Sequence, residues 1–201
     1  SSARRVTHPN VIRIFEFGEA DGDLFLSMEY FAGHTLQELI RRRGAIPLDE
    51  ARGILGQICD GLAAAHRAGV IHRDFKPENV LVGNDGRPRI TDFGLAVRTG
   101  TSGDDASASG LGTPHYMAPE QMRGETPDAR TDIFAFAVTL HLLLYGVRPF
   151  EGRGVEEINS SILANAVVEP PRDRRIPAWL RSLVLRGLRA TPAERPASMD
   201  E

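Results

Sequence analysis

Apolar and polar side chains alternate from Val11 to Phe17 and again from Leu24 to Tyr30, with Asp21-Gly22-Asp23 between the two runs. A period of two broken by Asp and Gly turn chemistry predicts a β-hairpin. The period then changes. Leu36 to Arg43 and the longer Leu48 to Ala68 carry apolar residues at helical spacing, with Ile54, Leu55, Ile58, Leu62 and Ala65 on one stripe. Both stretches read as helices, the second buried along one face. Gly69 ends that helix. The short apolar runs Val70-Ile71 and Val80-Leu81-Val82 flank a polar loop and are expected to hold it as strands. Gly83-Asn84-Asp85-Gly86 predicts a hairpin turn into Arg89-Ile90-Thr91, which delivers Asp92 at a strand end.

Nearly every side chain from Asp132 to Tyr145 is apolar, which at this length predicts a central helix buried all round rather than a membrane span. Val155 to Ala166 and Pro177 to Arg189 predict two further helices, with Pro170-Pro171 as a breaker between them. Thr99 to Gly110 is rich in Ser, Gly, Asp and Thr, with almost nothing to bury against the entropy of ordering, so a mobile segment is expected there. No internal repeat is visible.

Composition narrows the function classes. The 201 residues are 41% apolar and 25% charged, as in one soluble globular domain with a sizeable core. A net charge of -3 offers no electrostatic footprint for nucleic acid or anionic lipid. The lone Cys59 fits a reducing compartment and a packing role on a helix. No apolar run nears the ~20 residues of a bilayer span and no signal segment opens the chain, so a cytoplasmic location is expected, without membrane contact from these residues. Any anchor would lie outside them. His8, His34, His66, His115 and His141 show no metal-ligand spacing and read as packing or surface residues. No Gly-x-x-x-x-Gly-Lys-Ser/Thr run is present, which disfavours a P-loop NTPase.

The chemistry concentrates in His72-Arg73-Asp74-Phe75-Lys76-Pro77-Glu78-Asn79, followed by Asp92-Phe93-Gly94 and then Ala118-Pro119-Glu120. A proton acceptor, a cation and two oxygen ligands for a metal suit phosphoryl transfer. Three such motifs in this order resemble those of the eukaryotic-type serine/threonine protein kinases, and Met117-Ala118-Pro119-Glu120-Gln121 suggests the bacterial branch. The resemblance implies an α+β, protein-kinase-like fold, with ATP and Mg²⁺ as cofactors and Ser/Thr-bearing proteins as partners. It also implies one partial kinase domain over 1–201, with a small-lobe remnant and the start of the hinge in 1–30 and a mostly helical large lobe in 31–201.

Carried over position by position, the resemblance makes Asp74 the catalytic base and Asn79 and Asp92 the magnesium ligands, where loop capping and turn formation are the plainer readings of Asp74 and Asn79. Lys76 would set an ammonium against the transferred phosphate, and Thr113, in the substrate-docking loop, would hydrogen-bond Asp74 and Lys76; both favour Ser/Thr acceptors. Met28-Glu29-Tyr30-Phe31 resembles the hinge, with backbone groups of Glu29 and Phe31 on the adenine edge, Leu81 and Thr91 beneath and behind it, and Met28 gating the deeper pocket. His72, Phe93 and Ile14 match a stacked apolar column that Asp132 would anchor, and Glu120 with Arg195 matches a buried ion pair under the docking loop. Arg73 matches the position that pairs with a phosphate on the activation segment, for which Thr99, Thr101, Ser102, Ser107 and Ser109 are candidates. Glu78 suggests tolerance for basic residues before the acceptor, with simple exposure as the plainer reading.

A kinase also needs a Gly-rich loop over the phosphates and a strand lysine paired to a helix glutamate, and neither occurs before His72. The chain is therefore expected to be a fragment that begins mid-domain and is inactive alone. The competing reading is a non-catalytic pseudokinase or interaction module. A Gly-rich strand pair in the upstream reading frame would discriminate the two.

Overall fold

A computed structural model describes residues 6–20, 23–93, 114–171 and 176–201. The hairpin forms, with β1 (Ile14–Ala20) antiparallel to β2 (Asp23–Met28) and Phe17 opposite Leu26. Asp21 and Gly22 of the expected turn lie outside the described residues. β1 begins later than the alternation suggests because Val11 and Ile12 are drawn elsewhere. The Ile12 N–H donates to the Ile90 carbonyl (2.8 Å) and the Ile90 N–H to the Asn10 carbonyl (2.9 Å), so this stretch runs beside another sheet. Burial of Val11 and Ile12 there decides against the hairpin.

That second sheet has the order β3-β4-β5, from β3 (Gly33–Thr35), β4 (Val80–Gly83) and β5 (Pro88–Ile90), all antiparallel. β3 has no periodicity from which to predict it. Its Gly33 is dictated by contact, since a Cβ there would lie 2.3 Å from the Val82 carbonyl oxygen. Gly86, at φ 77, makes the turn between β4 and β5.

Thr35 caps α1 (Leu36–Arg43) in a reciprocal box: its hydroxyl accepts from the Glu38 N–H (3.1 Å) and Glu38 accepts from the Thr35 N–H (3.3 Å). α2 (Leu48–Arg67) buries Ala51, Ile54, Leu55, Ile58, Leu62 and Ala65 as the stripe predicts, and Gly69 follows at φ 72. α2 packs on β5 and on α4 (Ala129–Tyr145). α4 is buried from Thr131 to Tyr145, opens on the Asp128 cap and closes at Gly146 with φ 75. A short α3 (Pro119–Met122) precedes it, and α5 (Val155–Leu163) and α6 (Ala178–Gly187) follow. Both end earlier than expected; α5 gives way at Ala164 and Asn165, the latter at φ 52. The architecture is the expected α+β class.

Val70 and Ile71 are not a strand. The Val70 N–H bonds the Ala65 carbonyl (2.9 Å), a helix-end closure, so the polar loop after it is strand-held on its β4 side alone. Among the described residues no helix is long and apolar enough to cross a membrane.

α4 and α6 cross at small residues: a Cβ on Gly187 would lie 2.6 Å from the Ala137 Cβ. Gly187→Ala should therefore lower the unfolding free energy by about 1–2 kcal/mol in chemical denaturation, the overpacking outweighing the gain in helix propensity. Adding Ala137→Gly should recover part of that loss, with a favourable coupling of about 1 kcal/mol in the double-mutant cycle; strict additivity would place the strain elsewhere.

Candidate active site

The loop 72–79 is irregular, so its backbone groups need partners from outside. α4 supplies two of them through one side chain. Asp132 is buried; its Oδ2 accepts from the His72 N–H (2.8 Å) and from His66 Nε2 (2.7 Å), and its Oδ1 from the Arg73 N–H (2.9 Å). Arg73 sits at φ 71, a left-handed conformation unusual for a residue with a Cβ. His72 Nε2 faces the Thr91 carbonyl (2.8 Å), which can only accept, so Nε2 carries the proton and Nδ1 accepts from the Asp74 N–H (3.3 Å). Burial pushes the His72 imidazole down, against the pull of Asp132, the Thr91 bond, Asp74 and Asp92. The neutral form is the one this bonding needs. The His72 ring also packs on Phe93, centroids 4.6 Å apart, and edge-on against Phe75 at 5.7 Å.

The Asp74 carboxylate is fixed in turn. Its Oδ2 accepts from Lys76 Nζ (2.7 Å) and from Asn79 Nδ2 (3.3 Å), and the same Asn79 amide donates to the Asp74 carbonyl (2.8 Å). Asn79 ends a single 3₁₀ turn, Pro77–Asn79, opened by a proline. Its carbonyl accepts from the Thr91 N–H (2.9 Å), which ties the loop to the chain leaving β5 immediately before Asp92. Asp92 is a second non-glycine at positive φ, 63°. Asp74, Lys76 and Asn79 therefore converge through short bonds, and Asp92 follows Thr91, which is tied to Asn79. With the Asn79 NH₂ committed to Asp74, its amide oxygen is the end that could serve a cation, and Asp92 offers the other hard-oxygen donor just past the adjoining strand end.

The hinge candidates occupy the edge of the same region. Met28 closes β2, and Thr91 Oγ1 lies 4.0 Å from its sulfur. The Glu29 N–H is committed to the Arg13 carbonyl (2.9 Å), so of its two backbone groups only the carbonyl is left to a ligand. Its carboxylate pairs with Arg89, whose guanidinium also lies 4.8 Å from the centroid of the Phe31 ring. Leu81 lies in β4 opposite Arg89. Ile14 is the first residue of β1 and half-buried. Gly94, Thr113 and the five candidate phosphosites from Thr99 to Ser109 lie outside the described residues.

Below the site, Glu120 of α3 meets Arg195 in a buried fork, Nη1 to Oε1 at 2.7 Å and Nη2 to Oε2 at 2.8 Å. The remaining guanidinium protons reach the carbonyls of Arg189, Arg130 and Ala190. The Thr131 hydroxyl adds a bond to Glu120. Burial alone would raise the Glu120 carboxyl; the Arg195 bonds and charge outweigh it and hold the group below its ordinary range. The Cys59 thiol is pushed up to about 12, by burial first and then by Asp60 and Asp200, which leaves it inert.

The profile of the protein kinase domain matches residues 1–201. The chain belongs to the protein kinase family. It is 40% identical over 217 aligned residues to the serine/threonine-protein kinase pkn3 of Myxococcus xanthus, covering 99% of this chain and 39% of that protein. It is 35% identical to PrkC of Bacillus subtilis over 198 residues (96% of this chain, 30% of the relative) and 35% identical to PknD of Mycobacterium tuberculosis over 196 (96% and 30%). The chain thus spans between 30 and 39% of the length of these relatives. All three relatives are bacterial proteins named as serine/threonine-protein kinases.

Two residues of the site are given no structural role by the motif reading. His66 has no motif, and its bond to Asp132 joins positions 66 apart. Gln121 carries a faint signal, as the glutamine three residues into a helix that starts at Ala118-Pro119.

Two predictions follow from the buried polar groups. Arg195→Met should cost about 3–5 kcal/mol in denaturant titration because it strands the Glu120 carboxylate, whereas Arg195→Met with Glu120→Leu should cost less. For His72 the folded value lies below the unfolded one near 6.5, so the unfolded chain binds more protons and stability falls as pH drops below about 6.5, by at most about 1.4 kcal/mol per pH unit per group. His115 and His141, also held down chiefly by burial, add to that limb. The depressed Glu120 contributes stability present above about pH 4.3 and lost as pH falls through its folded value. His72→Gln should flatten the upper limb by up to one proton in unfolding measured between pH 5 and 7; an unchanged slope would assign it to other groups.

Proposed function

We propose that this chain carries the catalytic-loop half of a serine/threonine protein kinase that transfers the γ-phosphoryl group of ATP to protein Ser or Thr hydroxyls. In this reading 1–30 belongs to the small lobe and hinge and 31–201 to the large lobe. The observation that carries it is the Asp74 carboxylate held at Oδ2 by both Lys76 (2.7 Å) and Asn79 (3.3 Å), which leaves Oδ1 to face an incoming hydroxyl.

The acceptor oxygen forms a bond to the γ-phosphorus as the bond to the β,γ-bridging oxygen breaks. ADP leaves, and the hydroxyl proton passes to Asp74 Oδ1. The transition state is loose, so placement and charge do most of the work. Asp74 orients the hydroxyl. Lys76, already beside that carboxylate, presents positive charge to the transferred group. Asn79 and Asp92 would hold magnesium, which when bound neutralises phosphate charge. The Glu29 carbonyl and the Phe31 N–H would take the adenine edge, with Leu81 below it, Thr91 behind it and Met28 at the inner end. Thr113 would bond Asp74 and Lys76 from the docking loop, and Arg73 would receive an activating phosphate.

Residues 1–201 hold no glycine loop over the phosphates, so the test uses the full-length gene product. Incubation with γ-labelled ATP, magnesium and a mixed protein acceptor should label Ser and Thr and leave Tyr unlabelled. Asp74→Asn should lower the transfer rate by about 10²–10⁴-fold while nucleotide affinity stays within about threefold. Equal losses in rate and affinity would remove Asp74 from the chemical step.

A further inference from the structure

Gln121 has no place among the groups that would touch nucleotide or acceptor, yet its side chain spans two parts of the site. Oε1 accepts from the Ala118 N–H (3.1 Å), closing the first turn of α3, and this fixes which way the amide points. Nε2 is thereby turned onto the catalytic loop, where it donates to the Arg73 carbonyl at 2.7 Å. That carbonyl and the Asp74 N–H are the two polar ends of one peptide plane. The other end donates to His72 Nδ1 at 3.3 Å. The plane carrying Asp74 is therefore held at both ends, next to a residue at φ 71 whose own N–H is held by Asp132.

We propose that Gln121 is a positioning residue that fixes the Arg73–Asp74 peptide plane and so aims the Asp74 carboxylate, coupling α3, which follows the docking loop, to the catalytic loop. The inference rests on the phosphotransfer reading above. Without the Nε2 bond, the Arg73 carbonyl loses its partner and the left-handed backbone can relax, turning the plane and the carboxylate with it. A helix-capping role would need Oε1 alone. Gln121→Glu separates the two roles, because a carboxylate keeps an acceptor for the Ala118 N–H and sets a second acceptor against the Arg73 carbonyl. Protonation restores a donor.

The test compares the full-length gene product with its Gln121→Glu and Gln121→Met variants in steady-state transfer across pH 5 to 8, with a melting curve for each. Gln121→Glu should lose about 10- to 100-fold in kcat at pH 8, with KM for ATP within about threefold and Tm close to the parent, and should regain much of the loss relative to the parent toward pH 5. Gln121→Met should show the deficit at every pH. Parental kcat in both variants would overturn the inference, as would a loss that follows Tm and ignores pH in Gln121→Glu, since that is a cap and nothing more. An inactive parent protein would instead bring down the phosphotransfer reading, and this inference with it.

Discussion

One buried carboxylate organises this protein. Asp132 accepts from two consecutive backbone N–H groups, of His72 and Arg73, and from the His66 ring. An irregular loop against an apolar core would otherwise leave those N–H groups unpaired, at about 1–3 kcal/mol each. Asp132 stands on α4, the helix buried all round, so the loop 72–79 takes its position from the core itself. The left-handed Arg73 is tolerated for the same reason: roughly 1–2 kcal/mol of backbone strain is small beside the bonds that hold it.

The Glu120–Arg195 pair solves a different problem. Burying two charges costs several kcal/mol per ion, recovered only when every donor and acceptor is used. Here the guanidinium spends its donors on both carboxylate oxygens and on the carbonyls of Arg189, Arg130 and Ala190. Phe134 lies under it at 4.9 Å. Such a pair adds little net stability over an apolar substitute, but it ties α3, which carries Gln121, to the segment around Arg195.

Much of this was legible in the chain. Helical periods located α1 and α2 nearly to the residue, because spacing and a stop such as Gly69 are local. The order of the three motifs indicated the family, and the bonds of Asp74, Lys76 and Asn79 have the spacing that one loop can close on itself. What failed was non-local. Alternation at Val11 and Ile12 signals a strand without saying which sheet it joins, and Ile90 claimed them. Val70-Ile71 looked like a strand because an apolar pair carries no record of a carboxylate 60 positions downstream that holds the next residue. The contacts of His66 and Gln121 were missed for the same reason, their partners lying 66 and 48 positions away.

The anchoring also separates stability from activity. Beyond the bonds from Lys76 and Asn79, the backbone leading to Asp74 is held from three elements: α4 through Asp132, the β5 end through the Thr91 carbonyl and His72, and α3 through Gln121. Asp132 and His72 are deeply buried, so losing either exposes unpaired groups inside the core, and folding and geometry would fail together. Gln121 is only half-buried, and water can take up part of what it releases. A hold that can let go without unfolding the core is the one that can be altered without losing the fold. Held only by Asp132 and His72, the loop could not change its geometry without losing buried bonds; the bond from Gln121 is a third hold that lies nearer solvent.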